Sequence, residues 1–291
     1  MILNKIQKLF GGLNLTWPKL IVFSIIAGAY TAIMEILPVT NDTSFADIRA
    51  TFEVWILFGI LIIMNSKSPI DSASKCFVFF LISQPLIYLI QAPFNSMGFD
   101  FFQAYGPWFI CTLFTFPMGF IGYFMKKNKW WGLFILTPIL LLLGGLLSHY
   151  IIEIPFTFPF HLLTILFCFT TLLLYPLCIF SNKKVKIAGV IISTIIIFVM
   201  LTIAFIYRPV YNTTILVSNN DVFFDEKCNA YLENDAIGKV NIEYNETFER
   251  YVINAGFTRK GKTNLIIVDE NDKKTVYELS VGHNTYDKRK K

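Results

Sequence analysis

Charge is scarce in this 291-residue sequence: charged residues make up 15% of it, and histidine occurs three times. No GxSxG, GxGxxG, CxxC or HExxH pattern is present. A lipase-type hydrolase, a Rossmann enzyme and a zincin each lose their usual signature. Cysteine is sparse and badly placed for cross-linking. Cys76, Cys111, Cys168 and Cys178 lie in apolar segments, where a thiol acts as a small hydrophobe, and only Cys228 lies in the polar C-terminal part. No disulfide can close within that part, and the redox compartment stays open.

What the sequence has instead is hydrocarbon. Ile187–Tyr207 runs for twenty-one residues without a charge, between Lys183, Lys184 and Lys186 on one side and Arg208-Pro209 on the other. At about 1.5 Å per helical residue such a stretch covers the roughly 30 Å core of a bilayer. It divides the chain into an apolar part, 1–207, and a polar part, 208–291. The first holds 12 Lys+Arg and 7 Asp+Glu and the second 13 of each, so the net charge of +5 lies in the apolar part. A basic balance placed there fits membrane topology. Nucleic-acid binding would call for a basic patch on the polar part, so no nucleic-acid partner is expected.

Seven spans are expected, near 19–37, 48–64, 76–93, 106–125, 130–152, 158–180 and 187–207. The second is the weakest, because Arg49 and Glu53 lie at its outer end. With the N-terminus cytoplasmic, the inner segments hold eleven of the twelve basic residues of the apolar part and the outer loops only Arg49. That asymmetry follows the positive-inside rule and places 208–291 outside the cell membrane. Residues 1–16 carry apolar side chains at helical spacing around Lys5 and Lys8, a pattern for a short interfacial helix. The five tryptophans lie near span ends, and Pro85, Pro117, Pro138 and Pro176 lie within spans.

Beyond Thr213 the apolar period becomes two. Strands are expected over 213–217, 222–224, 229–232, 239–244, 251–254, 264–268 and 275–281, separated by Asn-, Asp- and Gly-rich turns. Seven short strands suggest a small antiparallel sandwich. The segment GKTNLIIVDENDKKTVYELSV, Gly261–Val281, resembles the closing strands of bacterial immunoglobulin-like modules. That resemblance implies an immunoglobulin-like fold and no particular ligand. The fold class expected is therefore an all-α bundle of about seven transmembrane helices followed by a small all-β domain.

Polar residues of the spans gather toward the outer ends. Glu35, Gln91, His149, Glu153 and His161 are the candidates for an outward-facing cavity, since ionisable groups near hydrocarbon are costly. Glu53 and Tyr150 belong to the same outer set; Glu53 and Glu153 fit headgroup level, while Glu35 and His149 lie deeper. His149 and Glu153, four apart, share a helical face, and His161 follows after one loop. These three could also ligate zinc, but the HExxH pairing is absent, a fourth ligand is not evident, and no metal or other cofactor is called for. Three readings stay open. A small solute is bound or passed at the outer cavity, with the bilayer as the other partner. Alternatively, an anchoring or sensing protein meets an envelope component through its β domain, or a membrane hydrolase or transferase uses His149, Glu153 and His161.

Overall fold

The computed structural model describes residues 2–40, 43–45, 47, 52–127, 129–206, 211–219, 222–246, 249–282 and 286–290. The chain forms two compact units, one of Met1–Ile151 with Pro159–Ile203, the other of Ile152–Phe158 with Ala204–Lys291.

Eight α-helices occur among the described residues: α1 (Ile2–Leu9), α2 (Trp17–Ile36), α3 (Glu53–Met64), α4 (Pro69–Gln91), α5 (Gly106–Gly122), α6 (Trp130–Thr157), α7 (Leu162–Ile179) and α8 (Lys183–Ile206). Six helical stretches among the described residues are long and apolar enough to cross a membrane: Trp17–Ile36, Pro69–Phe94, Gly98–Lys127, Trp130–Thr157, Leu162–Ile179 and Lys183–Ile206. These mark the chain as a membrane protein. α3 is the exception. Its 12 residues reach about 18 Å, short of a bilayer core. Residues 48–51, which the sequence assigns to the same span, lie outside the described residues.

Hydrogen bonds between elements fix the helix directions. Past the end of α3, Asn65 donates its amide to the Leu9 carbonyl at 2.6 Å and accepts the Leu13 N–H at 2.7 Å, ahead of α2. Tyr123 after α5 donates to the Lys67 carbonyl before α4 at 2.8 Å, and Gln7 donates to Leu177 near the end of α7 at 3.3 Å. One end of the bundle therefore collects the start of α2, α4 and α8 with the ends of α3, α5 and α7. The lysines of the helical connections, Lys67, Lys126, Lys127, Lys183 and Lys184, lie there. Among the described residues of this unit, the opposite end collects Glu35, Asp47, Glu53 and Asp100.

Lipid tails give helices no hydrophobic reason to associate, so close packing and satisfied polar groups must hold them. Ser24 and Thr31 on α2 return their hydroxyls to the Leu20 and Ala27 carbonyls at 2.8 and 2.9 Å. On the same buried face Gly28 lets α4 approach so closely that a Cβ there would stand 2.6 Å from the Ser83 carbonyl oxygen. Aromatic rings fill the adjoining space: Phe23, Phe58 and Phe79 meet with centroids 5.0–5.9 Å apart. Trp55 joins them 5.8 Å from Phe58 and is buried, so it is a core residue and not part of a girdle. Trp17, Trp130 and Trp131 are exposed, as are Ile26, Phe114, Phe134 and Phe198 on the outer helix faces. An apolar surface of that extent belongs against lipid.

The second unit holds two antiparallel sheets. Strands β1 (Tyr211–Val217), β4 (Arg250–Phe257) and β3 (Gly238–Asn245) form one in the order β1-β4-β3. Strands β2 (Asn229–Leu232), β5 (Gly261–Val268), β6 (Lys274–Val281) and β7 (Tyr286–Lys290) form the other in that order. Both sheets turn alternate residues into one core, Ile215, Ile253 and Phe257 from the first and Leu265, Leu279 and Val281 from the second. The 261–281 segment is a hairpin whose register runs from Gly261 opposite Val281 to Val268 opposite Lys274. Asp269 closes it by accepting the Asn271 and Lys273 N–H groups at 2.9 and 3.0 Å.

Two strand expectations change. Val222–Phe224 is not a strand: the Phe224 ring is fully buried and its N–H bonds the Ser218 hydroxyl at 3.1 Å, so the segment crosses the core as a loop. Tyr286–Lys290 is a strand, although its sequence YDKRK shows no apolar alternation. It is an edge strand, where exposed charge is favourable because it discourages pairing with another chain.

Candidate functional site

At the carboxylate end of the helical unit, the segment before α3 and the α6–α7 connection bring together ionisable groups far apart in sequence. His161 caps the start of α7, and its Nδ1 stands 3.0 Å from Oδ1 and 3.1 Å from Oδ2 of Asp47. Thr164, one turn along α7, donates its hydroxyl to Oδ2 of the same carboxylate. With the carboxylate as acceptor, Nδ1 of His161 is the donor of this contact. Asp47 and His161 are 6% and 7% exposed, so the contact is largely removed from water.

A second buried carboxylate adjoins this pair. Glu53, in the first turn of α3 and 1% exposed, accepts a hydrogen bond from the Tyr150 hydroxyl at 3.0 Å. Tyr150 in turn lies 4.9 Å from the His161 ring, which stacks on Phe160 at 4.2 Å. The connection is held by Ser44, whose hydroxyl donates to the Phe160 carbonyl at 2.6 Å and accepts the Leu163 N–H at 3.0 Å. Ser44, Asp47, Glu53 and Thr164 border a cavity of about 130 Å³ whose open wall is almost wholly apolar, from Phe45, Val54, Leu163 and Phe167. One small solute with an apolar body fits such a space.

The residues singled out from sequence distribute as follows. His161 is at the centre of the cluster. His149 lies on the exposed side of α6 with its ring 5.7 Å from that of Tyr150, and Tyr150 is the member of that turn that points inward. Glu35 is half-buried at the end of α2, and Gln91 is buried at the end of α4. Neither lines the cavity. Glu153 belongs to the second unit, where its carbonyl accepts the Thr157 hydroxyl at 2.9 Å. Among the described residues no group of three His, Cys, Asp or Glu side chains is placed to hold a metal ion.

Asp47, Glu53, Tyr150 and Thr164 are the members that sequence reasoning missed or set aside. Two signals pointed to them. Thr164 is three residues after His161, one turn on the same face, and Asp47 and Glu53 flank the apolar start of α3.

A phosphate-loop spacing, GFTRKGKT at Gly256–Thr263, also occurs in the second unit. It spans the end of β4, a turn and the start of β5. A phosphate loop needs a helix N-terminus after its glycines, and none follows here.

Compared with models of known protein families, with curated proteins and with solved structures, the chain finds no match.

Proposed function

We propose that the chain is a multi-pass membrane protein that binds, and passes, a small solute at the cavity of its carboxylate end, without chemistry on the solute. The carrying observation is the Asp47–His161–Thr164 contact beside a space of about 130 Å³. Ionisable groups buried within a membrane protein are costly and concentrate along solute and proton paths. Two carboxylates and two hydroxyls border a wall that is otherwise apolar, so a small solute with an apolar body and a hydrogen-bond donor at its edge suits it.

The same reading assigns seven crossings, the N-terminus to the cytoplasm, and residues 208–291 to the outside of the cell membrane as an immunoglobulin-like module. The lysine asymmetry supports the sidedness. The links of α3 to Leu9 and Leu13 at one end and to Tyr150 at the other support a crossing there. Two antiparallel sheets on one core support the module in its broad sense. The sheets match the four-plus-three count of antibody domains, but the strand order, β1-β4-β3 and β2-β5-β6-β7, differs from theirs. A second reading, contact with an envelope component through this unit, rests on its exposed Phe223, Tyr231 and Tyr244, since aromatic side chains are enriched at recognition surfaces.

The test is thermal stabilisation of the purified full chain across a panel of small amines, amino acids and sugars. A stabilising solute whose effect disappears in Asp47→Asn supports the cavity. A panel without any stabilising member, or a shift undiminished in Asp47→Asn, removes it.

A further inference from the structure

The opposite end of the helical unit carries a larger recess with a different chemistry. About 490 Å³ opens between α1, the turn after α5 and the α7–α8 connection. Lys126 and Lys186 line it together with Gln7 and Ser181, while Phe10 and Phe180 supply apolar walls. No carboxylate is among its lining residues. The backbone is shaped for it: Gly11, at φ +132°, turns the chain between α1 and α2 along the rim.

Both lysines keep donors to spare. Lys126 gives one hydrogen bond to the Ser66 carbonyl at 2.5 Å and stands 4.9 Å over the Tyr123 ring, and an ammonium has three donors. The carboxylate that acts on it electrostatically, Asp71, is held by Lys75 at 2.9 Å and by the Lys67 N–H at 2.8 Å. Among the described residues neither Lys126 nor Lys186 forms an ion pair. Half-buried cations facing an open recess without a counter-charge create a local positive potential, and the ligand that answers it is an anion.

The depth of the recess selects the kind of anion. Trp17, Trp130 and Trp131 are exposed at this same end, as indoles are at the headgroup level of a bilayer. Basic pockets between helices at that level take phosphate-bearing headgroups, with acyl chains along the adjoining apolar surface. We propose that this recess binds the phosphate of an anionic phospholipid from the leaflet at the lysine-rich end, with Lys126 and Lys186 as the contacting cations. The site is separate from the carboxylate-end cavity and stands whether or not that cavity passes a solute.

The experiment places the full chain in nanodiscs of phosphatidylcholine alone or with increasing phosphatidylglycerol, and reads thermal stability and retained lipid by native mass spectrometry. A further arm adds inorganic phosphate to the phosphatidylcholine discs. Wild type is expected to gain stability with phosphatidylglycerol. Lys126→Gln/Lys186→Gln is expected to lower the apparent affinity about tenfold or more. Lys183→Gln/Lys184→Gln, equal in charge but outside the recess, should change it less than about twofold. Lys126→Arg/Lys186→Arg should retain binding, which separates loss of charge from loss of fold. Stabilisation by inorganic phosphate, lost in the same double variant, supports the phosphate site and makes its source soluble. Equal losses from the two glutamine doubles, or no response to either probe, overturn the proposal.

Discussion

The imidazole of His161 faces the Asp47 carboxylate from 114 residues away, with Nδ1 at 3.0 and 3.1 Å from its two oxygens. Such a pair is expensive to assemble and more expensive to break. Removing either group takes a hydrogen-bond partner from the other where little water can replace it, so each makes the other tolerable. Asp47→Asn and His161→Gln should therefore each destabilise the purified chain by ~3 kcal/mol, and the double variant by little more than either. Chemical unfolding of the three variants in detergent measures this directly. Losses that simply add would mean that the two side chains do not act as a pair.

The packing of α2 on α4 gives a sharper contrast between two glycines. At Gly28 a methyl group would meet the Ser83 backbone, its carbonyl oxygen at 2.6 Å and its Cα at 3.1 Å, and backbone cannot rotate away. At Gly145 on α6 nothing lies within 4 Å. Gly28→Ala should cost ~1–3 kcal/mol as overpacking, whereas Gly145→Ala should be neutral or gain up to ~1 kcal/mol from helix propensity. Thermal unfolding of the two variants, side by side, decides it. Equal effects would show that α2 and α4 are not held in this contact.

The long apolar helices were legible because their signal is additive: a stretch such as Leu162–Ile179 repeats the same message in nearly every residue. The strands with one buried face were legible for the same reason, as in Gly261–Val268, where burial alternates with the sequence pattern. Elements positioned by a single partner were not. Val222–Phe224 looks extended because Phe224 is buried, yet one core ring does not need a strand to carry it. Tyr286–Lys290 looks like a loop because an edge strand is specified by its neighbour β6 and not by its own side chains. The site suffers from the same limit. His161 stood out by residue type, but Asp47 became significant only through its distance to His161, and no local pattern encodes a contact across 114 residues. His149 illustrates the converse. It is the more conspicuous residue in its turn, and the helix rotates Tyr150 inward instead.

Within the second unit, Lys260 joins the turn before β5 to the end of α6. Its ammonium donates to the Phe158 carbonyl at 2.6 Å and its backbone N–H to the Pro155 carbonyl at 3.4 Å. Carbonyls at a helix C-terminus lack intrahelical donors, and a cation there is worth ~0.3–1 kcal/mol. Lys260→Met keeps the aliphatic stem and removes the charge. Amide hydrogen exchange across 152–158 should then quicken by about two- to fivefold, with β3 and β4 unchanged. Unchanged exchange in that segment would show that the contact does not hold it.

The β unit should lose stability at alkaline pH through its buried tyrosines. Burial raises the hydroxyls of both Tyr277 and Tyr286 above the ordinary tyrosine range, because a phenolate is poorly solvated inside the core. The unfolded chain ionises first, near pH 10, and there binds fewer protons than the folded one. Stability from these groups is thus complete below pH 10 and falls as pH rises through their folded values. Lys288 acts in the opposite sense. Its ammonium, donating to the Ile215 carbonyl at 2.6 Å, is held below the usual lysine range by desolvation, so deprotonation relieves a cost as pH climbs toward 10.5. The Tyr251 hydroxyl and the Cys228 thiol are raised as well, so the raised groups outnumber the one lowered lysine and the net loss grows above pH 10. Tyr277→Phe separates the contributions. The Tyr277 hydroxyl is buried without a hydrogen-bond partner among the described residues, so its removal should be neutral or gain ~1 kcal/mol at pH 7. The same variant should also shrink the alkaline loss. Hydrogen exchange of β5 and β6 in the full chain at pH 7 and above pH 10, read for wild type and Tyr277→Phe, tests both parts. An alkaline loss of the same size in both proteins would assign it to groups other than Tyr277.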